Sequence, residues 1–328
     1  MTARGPLVSL AVLAVVAMAC GPGGASGAWT AQPSGTIRLY TSVTEETVQA
    51  VLAAYAEQHP EVAVELFRAP TGELNARIAG ERRQGAIQGD VLWLTDPLSM
   101  QQYASEGLLR TWTPREASAI PPRFRHETFW GTRILNLIIV HQVELEPAPG
   151  AWQDLTDPPY RNGVALPDPG FAGSAFGALG YFALSEDFGF DFYRALEENG
   201  AVQVQAPGEV TTGVAEGRFL AGMTLSFSAR TAHEKGSPIE LVWPEPGAIA
   251  IYSPIAVFQS TYDASAAESF AGFVLTREAQ QAIAETGWQP VREDVEWPYG
   301  GPQVSVDWEV AFDRQQELLE QYRTIFGG

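Results

Sequence analysis

The sequence predicts an α/β fold in which a mostly parallel sheet is covered by helices on both faces. Short apolar strands alternate with amphipathic helices through the first hundred residues, and parallel strands need such helical crossovers. The chain has 328 residues, 45% of them hydrophobic, which suffices for one large domain or two lobes. Its formal net charge is −19. This acidity argues against a nucleic-acid partner and against a polybasic membrane anchor.

Residues 1–20 have the pattern of an export signal. Arg4 precedes an uncharged apolar run at 7–19, which is too short to span a bilayer, since a span needs about 20 residues, and suits a signal peptide. The run ends at Cys20, the only cysteine, in the position where a bacterial lipoprotein is cleaved and lipidated. An ordinary signal peptide cut nearby is the alternative. Residues 21–35 are rich in Gly, Ser, Pro and Ala and predict a flexible tether.

Three strand–helix units follow the tether. Their strands are predicted at 36–40, 62–67 and 91–94, and in the first helix apolar residues recur at i, i+3, i+4 and i+7. Ser42 and Glu45 have capping-box spacing at the start of that helix. This βαβαβα order predicts a parallel sheet with helices on both faces.

The remaining chain predicts further strands and helices without a tandem repeat. The strands are expected at 134–140, 163–166, 221–227, 239–243 and 248–258, and the helices at 174–184, 188–198, 264–286 and 307–326. Two irregular, proline-bearing stretches, 114–131 and 244–250, are the best candidates for crossovers between two lobes.

Several segments, in their order and spacing, carry a resemblance to a known family. They are TIRLYTSVTEETVQAVLAAYAEQHPEVAVELF at the start of the body, GDVLWLTD at 89–96, GLL at 107–109, EKGSPIELVWPEPG at 234–247 and EAQQAIAETGWQPVRED at 278–294. Together they resemble the substrate-binding component of ABC importers. The group concerned includes ferric-iron binders and phosphonate or sugar-phosphate binders.

The resemblance implies the two-lobed type II periplasmic-binding-protein fold. Each lobe would be a mixed, mostly parallel sheet flanked by helices, with the ligand in the cleft between the lobes. We expect lobe 1 to comprise 36–130 plus 250–290, and lobe 2 to comprise 131–249 plus 291–328.

Ferric binders of this family hold the metal mainly through adjacent tyrosines after the strand that here ends at Leu225. The matching positions are Ser226 and Phe227, and neither supplies a phenolate oxygen. The resemblance therefore supports the binding fold and argues against ferric iron, and no metal ligand is assigned.

The candidate ligand site follows from helix starts at the carboxyl ends of strands. There, backbone N–H groups and positive partial charge point at the cleft, and small hydroxyl residues can donate hydrogen bonds to ligand oxygens. For each one the alternative is a simple N-cap. The predicted ligand-binding residues, including one amide and one aromatic, are Ser42, Thr44, Thr71, Thr95, Asn136, Ser174, Ser226 and Phe227.

Four polar residues each allow two interpretations. Asp96 either caps its helix or binds a ligand ammonium group. Arg133 and Arg230 are either charge partners for an anion or solvated surface residues. Asn136 lies within an apolar strand, and its amide either faces the cleft or is satisfied inside the protein.

Patterns for catalysis are missing from the sequence. It contains no H-E-x-x-H zinc motif, no G-x-S-x-G nucleophile elbow and no Walker phosphate loop. We therefore expect no enzyme activity, no catalytic residue and no cofactor.

These features predict an exported solute-binding component of an ABC transporter. It would capture a small solute, with a phosphonate or sugar phosphate favoured, and deliver it to a permease powered by a separate ATPase. We expect a monomer held at the cell membrane by its lipid anchor and facing the periplasm or cell exterior. A polyamine or ferric iron is the alternative solute, and an exported enzyme or a sensory lipoprotein is the alternative function.

Overall fold

A computed structural model describes residues 1–2 and 34–327 of the chain. The compact body runs from Pro33 to Gly328. The predicted signal peptide, the acylation of Cys20 and nearly all of the tether lie outside the described residues. Within the described part, no helix combines the length and apolar character needed to cross a bilayer.

The three predicted strand–helix units are present. In chain order they are β1 (Gly35–Thr41), α1 (Glu45–Gln58), β2 (Val62–Arg68), α2 (Thr71–Arg83), β3 (Val91–Trp93) and α3 (Pro97–Ser105). Strand β1 pairs in parallel with both β2 and β3. The predicted capping box is wrong, because α1 begins at Glu45 behind Thr44, and the Ser42 side chain bonds elsewhere.

The second part of the chain holds the longer strands. The elements are β4 (Phe129–Gln142), β5 (Val164–Pro167), α4 (Gly173–Leu184), α5 (Gly189–Glu198), β6 (Val202–Val204), α6 (Pro207–Ala215), β7 (Ala221–Leu225), α7 (Ser226–Glu234), β8 (Ile239–Val242) and β9 (Ala248–Val257). The sequence analysis missed β6 and α6. It also extended the strand at β7 to residue 227, whereas Ser226 already begins α7.

The chain ends with four helices and two very short strands. They are α8 (Ala264–Phe273), α9 (Arg277–Glu285), β10 (Gln289–Pro290), β11 (Gln303–Val304), α10 (Trp308–Asp313) and α11 (Gln315–Phe326). The single helix predicted at 264–286 is two helices, because Thr276 starts a new one by accepting a hydrogen bond from the Ala279 N–H. The helix predicted at 307–326 is likewise α10 and α11.

The sheet order is β2-β1-β3-β9-β4-β7-β5-β6. Parallel groups lie at both ends, and the antiparallel pair β9 and β4 lies in the centre. Strand β4 is 14 residues long and buried over nearly its whole length, so it pairs with β9 at one end and with β7 and β8 at the other. The predicted two-lobed α/β fold is confirmed, while the exact lobe boundaries stay a prediction.

Hydrogen bonds between the strand ends fix the loops that carry the site. Thr41, the last residue of β1, donates from its hydroxyl to the Trp93 carbonyl at 2.7 Å and accepts from the Val43 N–H at 3.0 Å. The Ser42 N–H also donates to Trp93 O at 3.2 Å. The loops after β1 and β3 are therefore held side by side.

Candidate functional site

Three of the predicted residues form one hydroxyl cluster, made of Ser42, Thr71 and Thr95. The Thr71 hydroxyl donates to Ser42 Oγ at 3.1 Å, and Thr95 Oγ1 lies 3.3 Å from both other oxygens. The Thr95 N–H also donates to Ser42 Oγ at 3.1 Å. Each residue follows a different parallel strand, and the carboxyl ends of such strands meet at one edge of the sheet.

Four helices that follow strands lack a side-chain cap. No side chain caps α1, α2, α4 or α7, whereas Asp96 caps α3. The interpretation as simple N-caps is therefore wrong for Ser42, Thr71, Ser174 and Ser226. Thr44 does occupy the N-cap position of α1, but its side chain accepts no hydrogen bond from the first turn of that helix. Uncapped N–H groups in a first turn suit an anion.

Ser174 and Ser226 lie in the first turns of α4 and α7. Both are buried, and neither hydroxyl makes a hydrogen bond with another described residue. Leu225, at the end of β7, pairs with Leu137 of β4, so the start of α7 stands next to the central strand pair.

Two predicted residues have other partners. The Thr44 hydroxyl lies 2.9 Å from that of Thr47, which in turn lies 3.0 Å from that of Thr286. The Asn136 amide donates to Gln289 Oε1 at 2.7 Å and accepts from Gln303 Nε2 at 2.5 Å. The structure therefore does not bring Thr44 or Asn136 into the hydroxyl cluster, and Asn136 fits the interpretation of an amide satisfied inside the protein.

Arg133 is a fully buried charged residue near the hydroxyl cluster. Its side chain lies within β4 and is only 1% exposed, so the alternative of a solvated surface residue is wrong. Nε and Nη1 have no hydrogen-bond partner among the described residues. Burial, and in second place the positive charge of Arg68, lower the pKa of the Arg133 guanidinium to about 9. A buried cation without a counter-ion is costly.

Arg133 and the hydroxyl cluster flank the same stretch of β9. Arg133 pairs with Ser253 in the β4–β9 ladder, and the N–H of Leu94, the residue before Thr95, donates to the Pro254 carbonyl at 3.0 Å. Two strand spacings, about 10 Å, separate β3 from β4. The site therefore has hydroxyl groups on one flank and a guanidinium on the other.

An aromatic stack connects Arg133 with α7. The guanidinium carbon lies 4.3 Å from the centroid of the Trp288 ring, and Phe227 stacks on Trp288 with ring centroids 4.5 Å apart and an interplanar angle of 26°. Phe227 was predicted from the sequence, whereas Trp288 was missed. The one sequence feature that could have pointed to Trp288 was its place in the segment GWQPVRED, directly after a predicted helix.

Comparison with known proteins identifies the family. Residues 37–289 match the family model described as bacterial extracellular solute-binding protein. The chain belongs to the bacterial extracellular solute-binding protein family.

One relative of this solute-binding protein comes from Salmonella typhimurium and is named as a 2-aminoethylphosphonate-binding periplasmic protein. It is 30% identical over 240 residues, which are 68% of each chain.

Two solved structures share the fold of this solute-binding protein. The periplasmic binding protein AfuA from Actinobacillus pleuropneumoniae, with fructose 6-phosphate bound, is 20% identical with a TM-score of 0.80, over 89% of this chain and 98% of its own. Iron-bound HitA from Pseudomonas aeruginosa is 19% identical with a TM-score of 0.77, over 89% and 99%.

Arg230, the second candidate arginine of the solute-binding protein, already contacts other groups of the protein. Arg230 Nη2 donates to the Gly287 carbonyl at 2.7 Å, and its guanidinium carbon lies 3.9 Å from the centroid of the Tyr299 ring. Its Nε also lies 3.7 Å from a Glu234 oxygen. Arg230 therefore holds α7 against the end of α9 and is not placed like Arg133.

Asp96 is a buried N-cap of the solute-binding protein. Its Oδ1 accepts from the Ser99 N–H at 2.8 Å, which confirms the capping interpretation. Oδ2 has no hydrogen-bond partner among the described residues. Gly173 comes so close that a Cβ there would stand 2.5 Å from Oδ2, and this tight approach leaves no room for an ammonium group between them.

Asp96→Asn is expected to stabilise the solute-binding protein at neutral pH. Burial raises the pKa of the Asp96 carboxyl above its ordinary value of 3.8. The folded chain therefore binds this proton more tightly than the unfolded chain, and the carboxylate costs stability that grows as pH rises from 3.8 to the folded pKa. Asparagine keeps the capping oxygen without the charge. We expect a gain of about 1–2 kcal/mol in urea unfolding at pH 7, disappearing below about pH 4.

Asp263→Asn is the matched control. Asp263 caps α8 by accepting from the Ala266 N–H at 2.9 Å, but it is only half-buried. We expect its substitution to change stability by less than about 0.5 kcal/mol. A loss of stability in Asp96→Asn at pH 7 would contradict the argument from burial.

Proposed function

We propose that this solute-binding protein captures a small organic oxyanion, a phosphonate or a phosphate monoester. The single observation that carries the proposal is Arg133, a buried guanidinium with Nε and Nη1 unpartnered among the described residues. The hydroxyl cluster, at the carboxyl ends of β1, β2 and β3, and the uncapped starts of α2, α4 and α7, after β2, β5 and β7, add neutral donors. Such donors suit the several oxygens of a phosphoryl group.

The two alternative solutes fit these residues less well. A polyamine would bring positive charge to Arg133, which has no carboxylate within ion-pair distance among the described residues, and like charges repel. Ferric iron prefers anionic donors, and Ser226 with Phe227 offers none. In the described part of the chain, no group of three His, Cys, Asp or Glu side chains converges on one point.

The names of similar proteins support an organic phosphorus acid. The Salmonella typhimurium relative is named for 2-aminoethylphosphonate, and AfuA holds fructose 6-phosphate in its structure. In the proposed role the lobes close over the solute, and an ABC permease with its ATPase receives it. No covalent chemistry is required, and the protein acts as a monomer.

Native mass spectrometry followed by calorimetry tests this function. The protein is purified without refolding, and its native mass is compared with that of the denatured chain. A bound mass the size of an organic phosphate or phosphonate is the expected result. Calorimetric titration with 2-aminoethylphosphonate, fructose 6-phosphate, spermidine and a ferric chelate then ranks the classes. Preference for spermidine or iron over both phosphorus acids would overturn the proposal.

We also propose that Cys20 carries a lipid anchor at the outer face of the cell membrane. Cys20→Ala is expected to move most of the protein from the membrane fraction to the soluble exported fraction, because a single acylated position supplies the anchor. Fractionation followed by immunoblotting measures the shift. Wild-type protein already in the soluble exported fraction would favour the ordinary signal peptide, and membrane association that Cys20→Ala leaves unchanged would show that Cys20 does not supply the anchor.

A further inference from the structure

Arg68 stands at the edge of the sheet that carries the hydroxyl cluster. It is the last residue of β2 and pairs with Thr41, the last residue of β1. Its Nε donates to the Val43 carbonyl at 2.7 Å, which directs the side chain towards the loop that holds Ser42. Thr71 of the hydroxyl cluster follows three residues later in the chain.

Arg68 and Arg133 are two positive charges on either side of the hydroxyl cluster. Among the described residues, neither guanidinium has a carboxylate within 4.0 Å, although the protein as a whole carries a net charge of −19. The sheet order β2-β1-β3-β9-β4 places the hydroxyl cluster between Arg68 and Arg133, and Arg68 is exposed whereas Arg133 is buried. In an acidic protein, two arginines that flank one polar cluster and attract no carboxylate mark a place where negative charge comes from a ligand.

We infer that Arg68 and Arg133 together select a doubly charged oxyanion over a singly charged one. The inference rests on the proposed function and names the charge state of its solute. A dianionic phosphonate or phosphate monoester supplies one negative charge for each guanidinium, whereas a sulfonate or carboxylate supplies a single negative charge for the two. Arg133 is the buried anchor, and Arg68 is the residue that sets this charge preference.

Isosteric ligand pairs give the direct test. 2-Aminoethylphosphonate and taurine have the same carbon skeleton and the same ammonium group, and fructose 6-phosphate and fructose 6-sulfate form a second pair. Titration at pH 8 keeps the phosphorus acids mostly doubly ionised, because the second pKa of a phosphate monoester is about 6. We expect the phosphorus acid of at least one pair to bind at least about 10-fold more tightly than its sulfur counterpart.

Arg68→Gln is expected to remove most of that preference. Affinity for the phosphorus acid should fall at least about 10-fold, while affinity for the sulfur acid should change less than about 3-fold. Arg83→Gln is the matched control, since Arg83 lies at the far end of α2, about 18 Å from Thr71 along the helix. It changes the net charge equally and should leave both affinities unchanged.

The outcomes separate the inference from the proposed function. If the wild-type protein binds neither phosphorus acid, the proposed function fails. If it binds the phosphorus and sulfur acids equally, the function stands and the charge selection is overturned. If Arg68→Gln keeps the full preference, Arg68 does not set it. Unchanged melting temperatures of both variants would show that the comparison is made on folded protein.

Discussion

Arg133→Met is expected to raise the melting temperature of the unliganded protein and to abolish oxyanion binding. The guanidinium is 1% exposed, and its Nε and Nη1 have no partner among the described residues, so the folded protein carries an uncompensated buried charge. Methionine keeps an apolar contact with Trp288 and removes that cost. We expect a gain of at least about 2 kcal/mol, or about 4 °C, and an affinity loss of at least about 100-fold.

Arg292→Met is the control with the opposite expected sign. Arg292 is also buried, at 8% exposure, but it donates two hydrogen bonds to Asp294 at 2.8 Å and one to Glu116 at 3.1 Å. Removing a paired guanidinium leaves its carboxylates without a partner, so this variant should be less stable. Calorimetric scanning and titration measure both quantities. A destabilised Arg133→Met protein that still binds the solute would contradict the assignment of Arg133.

Gly287→Ala is expected to weaken solute binding at least about 10-fold. Gly287 has a φ of +92°, and a Cβ there would stand 2.6 Å from Arg230 Nη2 and 2.7 Å from Phe227 Cδ2. Both of these side chains belong to α7, which lies in the other predicted lobe. The added methyl group would push α7 away from Trp288 and oppose the closed arrangement, in addition to the cost of a positive φ in alanine.

Gly236→Ala separates the cost of a positive φ in alanine from the displacement of α7 by the added methyl group. Gly236 has a similar φ of +86°, and a Cβ there would meet no atom within 4 Å. Its substitution should cost some stability and leave affinity within about 3-fold. Titration gives the affinities, and small-angle scattering gives the ligand-induced decrease in radius of gyration, which Gly287→Ala should reduce. Equal behaviour of the two variants would mean that the contact of α7 with Gly287 does not stabilise the closed form.

The hydroxyl cluster could be predicted because its placement depends only on strand order. Ser42, Thr71 and Thr95 each follow a parallel strand, and parallel neighbours bring their carboxyl ends together whatever the details of packing. The argument from strand order could not show that Thr44 lies outside the hydroxyl cluster. Thr44 is only two residues beyond Ser42, and its hydroxyl turns to Thr47 because α1 places both on one side.

The surroundings of the arginines depend on contacts between distant segments. Arg133 and Arg230 have the same side chain, and nothing local in the sequence tells a buried, unpartnered guanidinium from one bonded to Gly287. The position of Trp288 beside Arg133 also results from the pairing of the two-residue strand β10 with β4. A strand of that length carries no periodic signal.

The family resemblance supplied the two-lobed architecture, and the sequence pattern by itself determined the α/β class, the first three strand–helix units and the convergence of three hydroxyl residues. Local periodicity and chain order are enough for these features, because they follow from which faces are apolar and in which direction the strands run. Only the tertiary structure decided that Arg133 is buried without a partner, that Asn136 is satisfied by Gln289 and Gln303, and that Phe227 stacks on Trp288. Burial and pairing are properties of segments far apart in the chain, and the sequence pattern of either segment alone does not contain them.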